Sequence, residues 1–81
     1  MELEAKVKGA IAKQMRVDIR RVTPDARFVE DLLVDSIDAI ELAATLEDEF
    51  QIEIPDEELP GIRTVGDVIE YVRARAPVLQ S

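Results

Sequence analysis

One serine in this sequence stands at the predicted start of a helix, where a modification could reach it. The stretch Asp35-Ser36-Ile37-Asp38 lies at the start of residues 36–50, with Asp35 just before them. Residues 36–50 have helical periodicity and contain neither Gly nor Pro. A phosphate ester on Ser36 would lie beside free backbone N–H groups and the positive end of the helix dipole, which favour an anion. Spacing alone favours the simpler role of a helix cap for this residue. Ser36 therefore has two candidate roles, a cap and an acceptor of a phosphate ester.

The chain lacks the groups that would let Ser36 catalyse a reaction by itself. It contains no His and no Cys, and no Lys lies near Ser36 in the sequence to act as a base. Asp35 and Asp38 stand at the positive end of the helix dipole and would make poor bases. Asp31, Asp35 and Asp38 do not have the spacing of a calcium loop. We therefore expect no catalytic residue, no metal site and a protein that is not an enzyme.

Length and composition predict one small domain over residues 1–81. A chain of 81 residues buries only a small core, and the absence of Cys excludes disulfides and Cys-ligated zinc. No apolar run approaches the roughly 20 residues that span a bilayer, and the N-terminus lacks the apolar core of a signal peptide. We expect a cytoplasmic monomer that does not insert into membranes.

The net charge of −8 is concentrated in the middle of the sequence. Residues 25–59 carry thirteen Asp or Glu and only Arg27, a net charge of −12, whereas residues 1–24 and 60–81 carry +3 and +1. A field of this sign repels nucleic acid and attracts partners with basic patches. The simpler interpretation is a solvated helix face.

Apolar periodicity predicts an all-α fold with four helices. We expect helix 1 at about 2–15, helix 2 at about 36–50, a short helix 3 at about 56–60 and helix 4 at about 65–75. Asp35 is the predicted N-cap of helix 2, and Thr64 with Asp67 forms a capping box for helix 4. The long loop between helices 1 and 2 should pack across the helix ends through Val17, Ile19, Val22, Phe28, Leu32 and Leu33. The predicted fold class is a small four-helix bundle, with three main helices and a short third one.

Helix 2 carries two apolar stripes. The first suits the core and consists of Ala39, Leu42, Ala43, Leu46 and Phe50. The second is turned well away from the first and consists of Ile37, Ile40 and Ala44, bordered by Glu41, Glu47 and Asp48. A helix buried on one face needs only the first stripe. The second stripe is therefore either a shallow extension of the core or a surface for partners.

Several linked blocks of sequence resemble the acyl carrier protein family. The main blocks are Phe28-Val29-Glu30-Asp31-Leu32, Asp35-Ser36-Ile37-Asp38, Leu46-Glu47-Asp48-Glu49-Phe50, Ile54-Pro55-Asp56-Glu57-Glu58 and Val68-Ile69-Glu70-Tyr71-Val72. Their order and spacing match over nearly the whole chain. The resemblance implies a carrier with 4′-phosphopantetheine on Ser36, placed there from coenzyme A by a separate, magnesium-dependent phosphopantetheinyl transferase. The thiol of the arm would hold acyl groups as thioesters for fatty-acid or related lipid biosynthetic enzymes.

The same resemblance implies roles for two further sets of residues. The set expected to meet acyl-transferring and acyl-modifying enzymes with basic patches is Asp35, Ile37, Asp38, Ile40, Glu41, Ala44, Glu47, Asp48 and Asp56. The set expected to line a pocket for the acyl chain is Leu46, Ile54, Leu59 and Ile62, with ordinary core packing as the alternative.

Some positions depart from the family pattern and leave the pathway open. Leu33-Val34 stands where many fatty-acid carriers have Gly-Ala, and Leu59 takes a place often held by a small residue. Arg20 and Arg21 make the loop after helix 1 unusually basic. Two alternatives therefore remain beside a fatty-acid carrier. One is a dedicated carrier for a polyketide, specialised lipid or aminoacyl/peptidyl pathway, and the other is an unmodified acidic interaction domain.

Overall fold

The computed structural model describes residues 2–75 and shows an all-α fold, which confirms the predicted fold class. Its α-helices are α1 (Glu2–Met15), α2 (Ser36–Phe50) and α3 (Val65–Arg75). Two 3-10 helices, Ile19–Arg21 and Asp56–Gly61, lie in the connections. Within the described part of the chain there is no strand, only an isolated bridge between Arg27 and Thr64. Met1 and residues 76–81 of the predicted domain lie outside this part.

The core lies where the apolar stripes of the three α-helices meet. Helix α1 packs against both α2 and α3. The buried side chains of the helices are Val7, Ile11, Leu42, Ala43, Leu46, Phe50, Val65, Val68, Ile69 and Val72. Ala39, predicted for the same stripe of α2, is half-buried against them. Helix α2 thus buries the stripe that its period predicts for the core.

Backbone hydrogen bonds fasten the long connection to the start of α3. The Phe28 N–H donates to the Arg63 carbonyl at 3.0 Å, and the Gly66 N–H donates to the Pro24 carbonyl at 2.9 Å. A Cβ at Gly66 would lie 3.0 Å from that same Pro24 oxygen, so the close approach favours glycine. The connection is therefore an ordered layer across the helix ends, as its length and apolar content predict.

Two of the apolar residues predicted to pack this connection against the helices are exposed instead, so that part of the prediction is wrong. Ile19 and Leu33 are 51% and 79% exposed. The others are buried or half-buried: Val17, Val22, Phe28 and Leu32. Ile19 opens an unpredicted 3-10 helix that is capped by Asp18, whose side chain accepts from the Arg20 N–H at 2.9 Å. Leu33 has a left-handed backbone and lies between two residues that are buried.

The short third helix is a 3-10 helix and runs through Gly61, one residue beyond its predicted end at residue 60. Pro55 is its N-cap residue and not part of its first turn. The Glu58 N–H donates to the Pro55 carbonyl at 2.9 Å, which is the three-residue step of a 3-10 helix. Pro60 lies inside it and has no N–H to donate, which works against an α-helix here.

The left-handed backbone of Leu33 gives a first testable prediction. Its φ of 58° costs a residue with a Cβ about 1–2 kcal/mol. Leu33→Gly removes this cost but adds about 0.5–1 kcal/mol through the greater entropy of the unfolded chain. Because the side chain is exposed, its removal loses little burial. We expect Leu33→Gly to raise the free energy of unfolding by about 0.5–1 kcal/mol.

Urea denaturation measures this difference. The matched control is Leu33→Ala, which also removes the side chain but keeps a Cβ on the left-handed backbone. The alanine variant should unfold at about the wild-type midpoint. If glycine gives no more stability than alanine, the backbone of Leu33 is not strained.

Candidate functional site

Asp35, and not Ser36, caps helix α2. Asp35 is the N-cap residue, and its Oδ1 accepts from the Asp38 N–H at 2.8 Å. Ser36 is the first residue of the helix and is exposed. Its hydroxyl makes no hydrogen bond to any other part of residues 2–75. The interpretation of Ser36 as a cap is therefore wrong, since the cap is formed by the residue before it.

The surroundings of Ser36 leave its hydroxyl accessible and without an activating group. The carboxylate of Asp35 is engaged at the start of the helix, and Asp38 is half-buried in its first turn. Across residues 2–75 no cluster of His, Cys, Asp and Glu side chains has the arrangement of a metal site. Acceptance of a group from a separate enzyme needs only an exposed oxygen, and Ser36 offers one.

A cavity of about 250 Å³ lies beside Ser36 and extends into the bundle. Ser36 and Asp35 line it together with all four residues predicted for an acyl pocket, Leu46, Ile54, Leu59 and Ile62. Leu46 and Ile54 are buried, while Leu59 and Ile62 are half-buried. The structure therefore joins the serine and the predicted pocket residues in one site.

Sequence reasoning missed part of the wall of this cavity. It also contains Phe28, Val29 and Val34 from the long connection and Val68, Tyr71 and Val72 from α3. Apolar periodicity predicts which face of a helix turns to the core, but it does not predict a gap between helices. Val34 is buried in this wall. Of the unusual pair Leu33-Val34, only Leu33 therefore adds exposed apolar surface just before Ser36 in the chain.

Glu47 has a structural contact as well as a charge. The Ile54 N–H donates to Glu47 Oε2 at 2.7 Å, and Glu47 is half-buried. This bond holds the segment after α2 against the helix and brings Ile54 to the cavity. A second bond, from the Tyr71 hydroxyl to the Glu53 carbonyl at 3.2 Å, ties the same segment to α3. The wall of the cavity is thus fixed by hydrogen bonds from two helices.

The second apolar stripe of α2 faces away from the core. Ile37 and Ile40 are 66% and 55% exposed, and Ala44 is exposed beside them. These exposures exclude the alternative in which the stripe extends the core. Of the acids predicted to meet partners, Asp35, Glu41, Asp48 and Asp56 are exposed, while Asp38 and Glu47 are half-buried.

Asp31 stabilises the turn ahead of Ser36 and remains ionised there. Its Oδ2 accepts from the Arg27 N–H at 2.8 Å and lies 3.4 Å from the Arg27 guanidinium. The backbone N–H of Arg27 holds the pKa of Asp31 below its usual value, and the guanidinium acts in the same direction. Asp31 thus ties the turn that precedes α2 to Arg27.

The family profile described as the phosphopantetheine attachment site matches residues 5–72. The chain belongs to the acyl carrier protein family. It is 47% identical over 74 residues to the acyl carrier protein of Helicobacter hepaticus, covering 91% of this chain and 97% of that one. It is 48% identical over 71 residues to that of Thermosynechococcus vestitus, covering 88% of each chain. Identity to that of Helicobacter pylori is 49% over 72 residues, covering 89% and 92%.

Membership confirms the predicted family and its cofactor, 4′-phosphopantetheine. It also makes the chain a carrier of acyl groups. In the described part of this carrier, no helix combines the length and the apolar character needed to cross a bilayer.

Proposed function

We propose that this chain carries acyl groups on a 4′-phosphopantetheine arm attached to Ser36. The observation that carries the proposal is the position of Ser36. It is exposed, its hydroxyl takes no part in the helix cap, and it lies on the wall of an apolar cavity. Membership of the acyl carrier protein family supplies the cofactor that such a hydroxyl would bear.

The residues around Ser36 fit that cofactor. The phosphodiester would lie at the N-terminus of a 15-residue helix, where backbone N–H groups and the dipole favour negative charge. Modification disturbs no contact of the fold, because Asp35 alone provides the cap. When bound, the arm supplies a thiol that holds an acyl group as a thioester.

The attachment step requires a separate phosphopantetheinyl transferase. Ser36 Oγ forms a bond to the phosphorus of coenzyme A that bears the pantetheine, and the bond from that phosphorus to the bridging oxygen breaks. The nucleotide part leaves with the bridging oxygen, and the hydroxyl proton passes to a base of the transferase. This chain contains no His or Cys, and the Asp35 carboxylate beside the hydroxyl is engaged in the helix cap, so the base comes from the transferase.

The cavity and the acidic surface suit the two other demands on a carrier. Leu46, Ile54, Leu59 and Ile62 provide an apolar wall that would shelter a hydrocarbon chain. The exposed stripe of α2 and its acids would meet acyl-processing enzymes through brief contacts guided by charge. We infer that the carrier serves fatty-acid or related lipid biosynthesis as a cytoplasmic monomer.

A dedicated carrier for a specialised pathway is the second candidate. The observation that favours it is Leu33, whose exposed side chain and left-handed backbone stand where many fatty-acid carriers have glycine. Identification of the acyl group on the native protein by mass spectrometry distinguishes the two candidates.

Intact mass measures the attachment itself. After incubation with coenzyme A, magnesium and a broad-specificity phosphopantetheinyl transferase, the wild-type chain should gain the mass of one phosphopantetheine group. Ser36→Ala should gain nothing, whereas Ser81→Ala, which removes the only other serine, should gain the same mass as wild type. An unmodified wild type, or an undiminished gain in Ser36→Ala, overturns the proposal.

A further inference from the structure

Four of the five large apolar side chains exposed within residues 2–75 lie close to Ser36 in the chain. We call them the Ser36 apolar patch: Val29, Leu33, Ile37 and Ile40. Leu33 is the most exposed at 79%, followed by Val29 at 68%. Val29 lines the same cavity as Ser36, and Ile37 and Ile40 lie one turn apart on α2. The patch therefore flanks Ser36 in the chain, with two members in the preceding turn and two in the first turns of the helix.

Leu33 has no evident purpose in the fold. Its side chain is exposed and its backbone is held in the left-handed region, so it contributes strain and almost no burial. The turn around it is fixed by two hydrogen bonds, from the Leu32 N–H to the Arg27 carbonyl at 3.1 Å and from the Val34 N–H to the Phe28 carbonyl at 2.8 Å. A strained residue that the surroundings hold in place, with its side chain in solvent, is typical of a functional contact.

The charged residues of the segment that carries the patch are all acidic, with Arg27 paired to Asp31 just before it. No Lys or Arg occurs between residues 28 and 62. The acids nearest to the patch in sequence are Glu30, Asp31, Asp35, Asp38 and Glu41. The complementary surface on a partner is an apolar pocket with a rim of Lys or Arg.

The transferase is the partner that must approach Ser36 most closely. It has to bring the phosphorus of coenzyme A within bonding distance of Ser36 Oγ. Enzymes that process the acyl group act at the far end of the arm instead. Leu33 and Ser36 are three positions apart in the chain, so at most about 10 Å separates their Cα atoms. Leu33 therefore lies inside the area that the transferase covers.

We infer that Leu33 is a specificity-determining contact for the phosphopantetheinyl transferase that modifies this chain. Its side chain enters an apolar pocket, rimmed by basic residues, beside the active site of that enzyme. This inference rests on the proposed attachment to Ser36 and adds a residue that selects which transferase performs it.

Steady-state kinetics with the acyl-carrier-specific transferase of the same genome test the inference. Loss of one buried leucine side chain should raise KM about tenfold for Leu33→Ala and Leu33→Gly, with little change in kcat. Leu33→Met keeps an apolar side chain of similar volume and should stay close to wild type. Ile19→Ala, which truncates an exposed apolar residue outside the patch, should leave KM unchanged.

Two readouts separate recognition from a structural role. The glycine variant is expected to be more stable than the alanine variant, so an equal rise in KM for both cannot come from stability. The rise should also persist at high salt, because an apolar contact is not screened. A wild-type KM for Leu33→Ala overturns the inference.

The broad-specificity transferase tells this failure apart from failure of the proposed attachment. If it modifies wild type and all Leu33 variants while the specific enzyme does not distinguish them, attachment stands and the role of Leu33 falls. If neither transferase modifies wild type, both fall.

Discussion

Reversal of Glu41 and Asp48 to lysine should slow association with an acyl-transferring enzyme by about ten- to a hundredfold at low salt. Both side chains are exposed on α2 and make no hydrogen bond through their carboxylates within residues 2–75. Glu47 is left intact because it holds the Ile54 N–H, and its loss would disturb the cavity. Stopped-flow mixing with the partner enzyme measures the association rate. The effect should shrink as salt rises toward about 1 M, where the Debye length is only about 3 Å.

A matched variant separates a local from a global effect of charge. Asp25→Lys with Glu70→Lys changes the net charge by the same amount at two exposed positions outside α2. We expect this pair to leave the association rate within about threefold of wild type. If both pairs slow association equally, net charge and not the surface of α2 guides the encounter. Urea denaturation of each variant checks that the fold is retained.

Truncation of Leu46 should lower the free energy of unfolding by about 3 kcal/mol. Leu46 is 2% exposed and packs in the core while it also lines the cavity. Leu46→Ala removes buried methyl groups and enlarges a space that the bundle already fails to fill. Because small domains have only about 5–15 kcal/mol of stability, the urea midpoint should fall markedly.

Ile37→Ala is the control for Leu46→Ala. It truncates an aliphatic side chain on the same helix that is 66% exposed, so its free energy of unfolding should stay within about 0.5 kcal/mol of wild type. Equal losses for the two variants would contradict the assignment of the two stripes.

A saturated acyl group on the arm should restore part of the stability of Leu46→Ala, because the acyl chain would fill the enlarged cavity. No restoration would argue against the cavity as the place of the acyl chain.

The elements that carry the site could be predicted because their signals are local. Helix α2 begins and ends at the predicted residues, 36 and 50, because its apolar period is unbroken and Asp35 precedes it. The capping box of α3 is present as predicted, with Thr64 Oγ1 accepting from the Asp67 N–H at 3.1 Å and Asp67 Oδ2 accepting from the Thr64 N–H at 3.1 Å. Such contacts join residues three positions apart, so spacing is enough to predict them.

Local sequence signals left two roles open for Ser36. Sequence indicated an anion-friendly helix start without a catalytic base, which allowed both a cap and a modification. The hydrogen bond from the Asp38 N–H to Asp35 decides against the cap, since it shows which side chain the helix uses. The same hydrogen bond confirms Asp35 as the N-cap that the sequence predicted, and it leaves the Ser36 hydroxyl without a capping role.

By itself, the sequence determined the all-α fold, the helix that presents Ser36 and the acidic surface, because each follows from local period, capping or composition. It indicated the family through the resemblance of several linked blocks. Only the tertiary structure decided that a cavity adjoins Ser36, that Glu47 holds Ile54, and that Leu33 is strained and exposed. A cavity is the volume that packed side chains leave unfilled, and the other two features depend on how a turn folds back on residues five to seven positions away. The apolar period of a single segment therefore does not predict these three features.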